Sequence, residues 1–393
     1  MKNYNFIFLH LIFLHSIIIS QKIIVSEIKI VCSKLQTIIS IGHPIKHFYF
    51  EFNLQNNISI ISNPFYNPLN SLTYQELSKE NVTMNNSTYC FSSFQERFAL
   101  LDSDETFTSV NLTFYSPLVY YGDINNGFSL ASQYDNLNYS VLHQFYNKKI
   151  INEKKFFFIF NQKNKKMKDM IIFGEIPEYY LESKFTQYKT TFNIDQKFNG
   201  WGFTLHSIKI KNYIYEINHY AQLDTSEEDI YTPLDFILYL NETIFNPYLS
   251  NGTCFFRNNS GIIIFECKSK YIENFPSVEF YFDNCKLIFN IKKIFQMYED
   301  TCIFKIKPQT NRGKQWDEKK WILGYSFFQD YITEFDYDRK TVTFYSDDAF
   351  SFINFGEKQI IHKIYLFLSV LLVSQSIFLL AINLMFTPRI NEK

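Results

Sequence analysis

One carboxylate in the second half of the chain stands in a setting that could do chemistry. Asp224 ends a strand-like run at residues 220–223 and opens a polar turn, Thr225-Ser226, that continues to Pro233. A carboxylate held at the end of a strand can take up or give up a proton. Further on, Gly324 interrupts the apolar run 321–328, where a missing side chain lets another backbone pass very close. These residues predict an acid or base supported from behind by a strand.

Segments 220–233 and 321–336 together resemble the second lobe of pepsin-like aspartic peptidases. In that family an Asp-Thr-Gly turn presents a catalytic carboxylate and a Trp-Ile-Leu-Gly strand passes behind it. Asp224 and Thr225 match, and Pro233 follows nine residues after the aspartate, as in the family. Ser226 replaces the family glycine, and Tyr325 replaces the aspartate expected after Gly324. The resemblance implies that Asp224 is the second catalytic aspartate and that Thr225, Ser226 and Gly324 support the cleft around it.

The first half resembles the family at its opening hairpin. Residues 35–52 alternate as two strands joined at Gly42-His-Pro44. The family continues with Asp-Thr-Gly-Ser-Ser, which supplies the first catalytic carboxylate, whereas this chain has Asn53-Leu-Gln-Asn-Asn57. Asn53 therefore stands in place of the first aspartate. Residues 126–130 resemble the family's Asp-Gly-Ile-Leu-Gly, with Leu130 in the glycine position.

The missing carboxylate determines the predicted function. Peptide hydrolysis on this scaffold needs two facing carboxyls that share a proton, and an amide such as Asn53 cannot exchange a proton at ordinary pH. We therefore expect a homologue that is inactive as a protease and that binds peptide or glycan in its cleft. Two alternatives stay open: an active aspartic endopeptidase that pairs Asp224 with an atypical group, and a structural surface glycoprotein.

Composition agrees with an all-β, bilobal pepsin-like acid protease fold with a central cleft. The 393 residues can form two lobes of about 150 to 200 residues each. Aromatic residues reach 19%, with 44 Phe and 28 Tyr, which favours strands. We place the lobes at residues 21–189 and 190–350. A net charge of -1 gives no sign of nucleic-acid binding, and we expect a monomer.

Both termini predict export and membrane attachment. Lys2 precedes an apolar run at residues 6–19, which indicates a signal peptide over residues 1–20. Residues 364–386 carry no charge and are long enough for a transmembrane helix, with residues 387–393 as a cytosolic tail. The chain is predicted to be a single-pass type I membrane protein with a lumenal or extracellular ectodomain.

Six cysteines in an exported chain suit an oxidising compartment. The family resemblance implies a disulfide between Cys267 and Cys302. The pairing of the other four stays open, with Cys254–Cys285 and Cys32–Cys90 suggested only by elimination. No Cys-x-x-Cys motif or Cys/His cluster at zinc spacing occurs in the sequence, so we predict no metal and no cofactor. Residues 227–229, all acidic, could bind calcium, but a solvated acidic loop is the favoured interpretation.

Several Asn-x-Ser/Thr triplets predict N-glycosylation of an exported chain. The predicted acceptors include Asn57, Asn81, Asn111, Asn138, Asn241, Asn251 and Asn258. A sugar on Asn57 would obstruct the floor of the expected cleft. The alternative is that Asn57 is buried and unmodified.

Overall fold

The structure is a computed structural model, and the part of the chain that it describes is predominantly β. The described residues are 23–31, 34–55, 58–62, 66–84, 87–101, 107–117, 126–133, 140–160, 168–177, 188–196, 200–259, 262–283, 285–289, 294–309, 319–329, 331–346 and 352–354. The all-β expectation is confirmed for them.

In the first half, the described residues form ten strands and one α-helix. The strands are β1 Ile24–Glu27, β2 Lys29–Val31, β3 Lys34–Ile41, β4 Lys46–Asn53, β5 Gln75–Met84, β6 Ser87–Leu101, β7 Phe107–Pro117, β8 Gly127–Ser129, β9 Lys155–Ile159 and β10 Met170–Phe173. Helix α1 spans Val141–Asn147 and is capped by Ser140, whose side chain accepts a hydrogen bond from the His143 N–H. A 3₁₀ turn lies at Pro68–Asn70.

Fifteen strands in the described residues form the second half. They are β11 Tyr188–Asn193, β12 Gly202–Ile210, β13 Tyr213–Leu223, β14 Ile230–Thr232, β15 Cys254–Asn259, β16 Ile262–Lys268, β17 Val278–Tyr281, β18 Cys285–Phe289, β19 Phe295–Met297, β20 Thr301–Phe304, β21 Ile306–Pro308, β22 Lys320–Leu323, β23 Ile332–Asp336, β24 Thr341–Ser346 and β25 Phe352–Asn354. The helices are α2 Leu234–Leu240, α3 Asn246–Ser250 and α4 Tyr325–Phe328, with a π-helical turn at Asn241–Phe245 and a 3₁₀ helix at Ser269–Asn274.

Each half has its own large sheet, and a third sheet joins them. The first half contributes β5-β6-β3-β4-β8, with β2 and β7 on the side; the second contributes β21-β14-β22-β13-β12-β17-β18-β25 and a four-stranded sheet, β15-β16-β20-β19. The joining sheet has the order β1-β10-β9-β23-β24-β11. Three of its strands come from each half, so backbone hydrogen bonds between β9 and β23 connect the two halves within one sheet.

Phenylalanine fills the core where the halves meet. Phe156 on β9 lies opposite Phe335 on β23, and their rings stack with centroids 4.6 Å apart. Trp201, fully buried, contacts Phe335 at 5.1 Å between ring centroids and donates its indole N–H to the Leu130 carbonyl at 2.6 Å. Buried aromatic pairs contribute through both their area and their ring geometry. This core fixes the two chain segments that carry the candidate site.

The disulfide predicted between Cys267 and Cys302 is wrong. The structure joins Cys254 to Cys267, with an S–S distance of 2.09 Å. Cys267 lies on the central strand β16, directly opposite Cys254 on one side and Cys302 on the other. Because directly opposite side chains share one face of a sheet, either neighbour is within reach, and Cys267 can bond to only one of them.

The structure tests one of the two disulfide pairings suggested by elimination. Cys254–Cys285 is also wrong, since Cys254 is already bonded to Cys267. Cys302 keeps a free, buried thiol, and burial raises its pKa to about 11. Cys90 is exposed and free within the described part of the chain. Cys32 lies outside that part.

The predicted signal peptide, transmembrane helix and cytosolic tail all lie outside the described residues. Across the described ranges, no helix combines the length and hydropathy needed to cross a membrane.

The predicted glycosylation acceptors fall in different environments. Asn111 and Asn251 are exposed, and the Asn251 side-chain oxygen accepts the Thr253 N–H at 2.9 Å. Asn241 is half-buried, and its side-chain oxygen is buried without a hydrogen-bond partner among the described residues. Asn57 and Asn138 lie outside the described residues, as do the side chains of Asn81 and Asn258.

Candidate functional site

Two similar turns bring the candidate residues together. Asn53 ends β4, which pairs in parallel with β8, and Asp224 follows β13, which pairs in parallel with β22. Each side chain then folds back on its own turn. The Asn53 Oδ1 accepts the Gln55 N–H at 2.8 Å, and the Asp224 Oδ1 accepts the Ser226 N–H at 2.8 Å. An Asp or Asn side chain that binds the backbone two residues later is a common way to close such a turn.

The strand behind Asp224 has the close backbone approach that the sequence predicted. The Asp224 N–H donates to the Leu323 carbonyl at 3.0 Å, and the Gly324 N–H donates to the Asp229 carbonyl at 3.1 Å. A Cβ on Gly324 would lie 2.3 Å from that same carbonyl oxygen. Only glycine fits there, because no real Cβ contact is that short.

In the first half, the pairing of β4 with β8 shows which residue corresponds to Gly324 of the second half. Leu323, the last residue of β22, lies opposite Leu223, and Gly324 follows it directly. Phe128 lies opposite Phe52 in the same way, which makes Ser129 the counterpart of Gly324. The sequence alignment that put Leu130 in this place was one residue too late. The first half therefore has a small side chain, Ser129, where the second half has Gly324.

Thr225 makes a hydrogen bond from the second half to the first, and the matching residue of the first half makes no such bond through its side chain. Its hydroxyl donates to the Phe52 carbonyl, 173 positions away in the chain, and its side chain is fully buried. The residue in the matching position of the first turn is Leu54, which is also fully buried. A leucine side chain has no hydrogen-bond donor, so Leu54 cannot form the equivalent bond to the second half.

The group that faces Asp224 is the side-chain amide of Gln55. Its Nε2 donates a hydrogen bond to the Asp224 Oδ2, across 169 positions of sequence. Asn53 stands in place of the first aspartate in the sequence, but its Oδ1 accepts the Gln55 backbone N–H. Gln55 was missed, although one signal was present: it occupies the family's glycine position, where a long side chain has to extend somewhere.

Asp224 is buried, with 5% of its surface exposed, and burial raises the pKa of its carboxyl. Three groups oppose this shift: the Ser226 hydroxyl at 2.6 Å, the Ser226 N–H, and the positive charge of Lys320. Hydrogen bonds to a carboxylate stabilise its ionised form, whereas loss of water destabilises it. Asp224 is therefore an acidic group that can change its protonation state, held between donors.

Two carboxylates of the acidic loop beyond Asp224 are paired with lysines. Glu228 pairs with Lys305 at 3.2 Å, and Asp229 pairs with Lys307, with all four side chains partly buried. Tyr325 is buried against the same loop and hydrogen-bonds to Glu228. The expectation of a solvated loop is wrong for Glu228 and Asp229, because lysines on the neighbouring segment pair with both carboxylates. No cluster of three or more metal-binding side chains occurs in the described residues.

Among the described residues, the arrangement offers one proton-exchanging group, Asp224, in contact with the Gln55 amide and with the hydroxyl and N–H of Ser226. It can accept hydrogen bonds from a ligand, and it can hold or release one proton.

Comparison with known protein families gives a match that covers part of the first half and nearly all of the second. The profile of the family described as "Eukaryotic aspartyl protease" matches residues 123–346, which is more than half of the chain. No curated protein shows a significant match to it.

Proposed function

The chain belongs to the eukaryotic aspartyl protease family, and from this premise we propose that it is a membrane-anchored member that binds peptide without hydrolysing it. The domain and its family are established; the inactivity, the anchor and the ligand are our proposal. A glycan is the second ligand class that a cleft of this kind could accept.

The observation that carries the proposal is the contact between the Gln55 amide and Asp224. Hydrolysis by a pair of acids requires one carboxylate to take a proton from water and a second, protonated carboxyl to donate one to the peptide carbonyl. Asp224 could play either part. The group against it is an amide, which can donate a hydrogen bond but cannot cycle a proton between water and substrate. Asn53 adds a second amide and no acid.

Binding does not need the missing acid. The Thr225 bond to the Phe52 carbonyl and the Trp201 bond to the Leu130 carbonyl hold the halves together around the turns. A buried carboxylate flanked by Ser226 and the Gln55 amide favours a ligand that presents N–H or O–H groups, and an extended peptide does so along its backbone. The uncharged segment 364–386 supports the membrane anchor.

The test uses the purified full-length chain in detergent. We expect no peptide cleavage above that of the Asp224→Ala variant, together with retention of the chain on an immobilised pepstatin-like inhibitor or a denatured peptide. Cleavage that Asp224→Ala abolishes would instead support an active endopeptidase with an atypical partner. Absence of both cleavage and retention would favour a scaffold role for the surface glycoprotein.

A further inference from the structure

Gln55 makes a contact that the family resemblance does not require. Resting on the proposed peptide-binding function, we propose that Gln55 is an internal ligand of Asp224, which an incoming ligand has to displace. The side-chain amide presents to the carboxylate the same N–H chemistry that a peptide backbone would present.

Both carboxylate oxygens of Asp224 already accept hydrogen bonds. Its Oδ1 accepts both the N–H and the hydroxyl of Ser226, at 2.8 and 2.6 Å. Its Oδ2 faces the Gln55 Nε2. A ligand donor that takes the position of the Gln55 Nε2 at Oδ2 therefore competes with that amide. The site is therefore self-occupied in this structure.

Gln55 can leave this position without disturbing the turn. Its backbone N–H is fixed by the Asn53 Oδ1 at 2.8 Å, whereas its side chain is only half-buried. Rotation about the side-chain bonds would free Asp224 while the backbone stays in place. Asp224 itself is buried and is held by Ser226. The moving part of the site is therefore a single side chain.

A self-occupied site binds its ligand more weakly than an open one. The apparent dissociation constant equals the intrinsic constant divided by the open fraction. A net contribution of about 1.4 kcal/mol from the internal hydrogen bond corresponds to an open fraction of about one tenth, because that free energy is a factor of ten in an equilibrium. Gln55→Ala should therefore bind the probe about tenfold more tightly than the wild-type chain does.

The experiment combines a double-mutant cycle with a binding measurement on the full-length chain. The cycle compares wild type, Gln55→Ala, Asp224→Ala and the double variant by urea unfolding, and it isolates the coupling between the two side chains. Binding of a pepstatin-like peptide is measured on the same proteins by calorimetry. Gln95→Ala, which removes another half-buried glutamine in the first half, is the matched control.

The proposal predicts that the coupling is favourable, that the affinity gain appears in Gln55→Ala, and that it disappears in the double variant. The control should bind like wild type. Zero coupling would overturn the proposal. Equal binding by wild type and Gln55→Ala would overturn the internal-ligand role while leaving peptide binding intact. Failure of every variant to bind would remove peptide binding and the internal-ligand role together, even if the coupling were present.

Discussion

Replacing Asp224 with asparagine changes one atom of a buried carboxyl, and the effect on stability should depend strongly on pH. Burial raises the pKa of Asp224 in the folded state, against opposing bonds from Ser226 and the charge of Lys320. In the unfolded chain an aspartate has a pKa of about 3.9. The folded state therefore holds its proton to higher pH than the unfolded state does.

The sign follows from proton linkage. Between the unfolded and the folded pKa, the folded state binds more protons, so stability falls as pH rises. The slope approaches about 1.4 kcal/mol per pH unit for a single group. Below about pH 3.9 the carboxyl is protonated in both states, and this contribution is fully retained. Asparagine does not titrate, so Asp224→Asn should gain stability relative to wild type as pH rises and then reach a plateau.

The assay is urea unfolding of wild type and Asp224→Asn at closely spaced values from about pH 3 to about pH 8. The difference at the acid end reports the altered hydrogen bonds to Ser226 and Gln55. Its rise with pH reports ionisation alone, and the plateau begins at the folded pKa of Asp224. Asp300→Asn, at an exposed carboxylate, controls for the removal of one charge. A difference that stays flat or falls with pH would refute the view that burial dominates at Asp224.

Three further predictions concern packing and modification. Gly324→Ala should lower the free energy of unfolding by about 3 kcal/mol, since its Cβ would lie 2.3 Å from the Asp229 carbonyl. Gly127→Ala, with its nearest contact at 3.1 Å, should lower it by about 1 kcal/mol, and a reversed order would contradict this packing. Thr225→Val should destabilise by about 1 to 3 kcal/mol in urea unfolding by leaving a buried carbonyl without its donor. The serine variant should retain most of that bond, so equal losses would argue against it. Asn251→Gln should remove one glycan from the chain, seen as a mass shift after expression in glycosylating cells; an unchanged mass would contradict the prediction.

Much of the fold could be predicted from local patterns. The hairpin at residues 35–52 appears as β3 and β4 with the turn at 42–45, because alternating apolar residues set which face of each strand is buried. The helical spacing of apolar residues at 141–146 predicts α1, and Asp338-Arg-Lys340 predicts the turn of the closing hairpin between β23 and β24. Both are confirmed. Each depends on residues close together in sequence.

The features that were missed depend on tertiary structure. The reach of Gln55 to Asp224 spans 169 positions, and only the joining of the halves brings the two together. The choice of Cys254 as the partner of Cys267 depends on strand order, since cysteines flank Cys267 on both sides. The pairing of the acidic loop depends on lysines from β21 and the residue before it. Spacing along the sequence carries none of this information.

The central claim is that the site contains one acid where hydrolysis requires two. It is tested most directly by incubating the purified full-length chain and its Asp224→Ala variant with a denatured protein substrate, from about pH 3 to about pH 7, with and without pepstatin. We predict identical, background cleavage by both proteins at every pH. Pepstatin-sensitive cleavage by the wild-type chain that disappears in Asp224→Ala would contradict the claim.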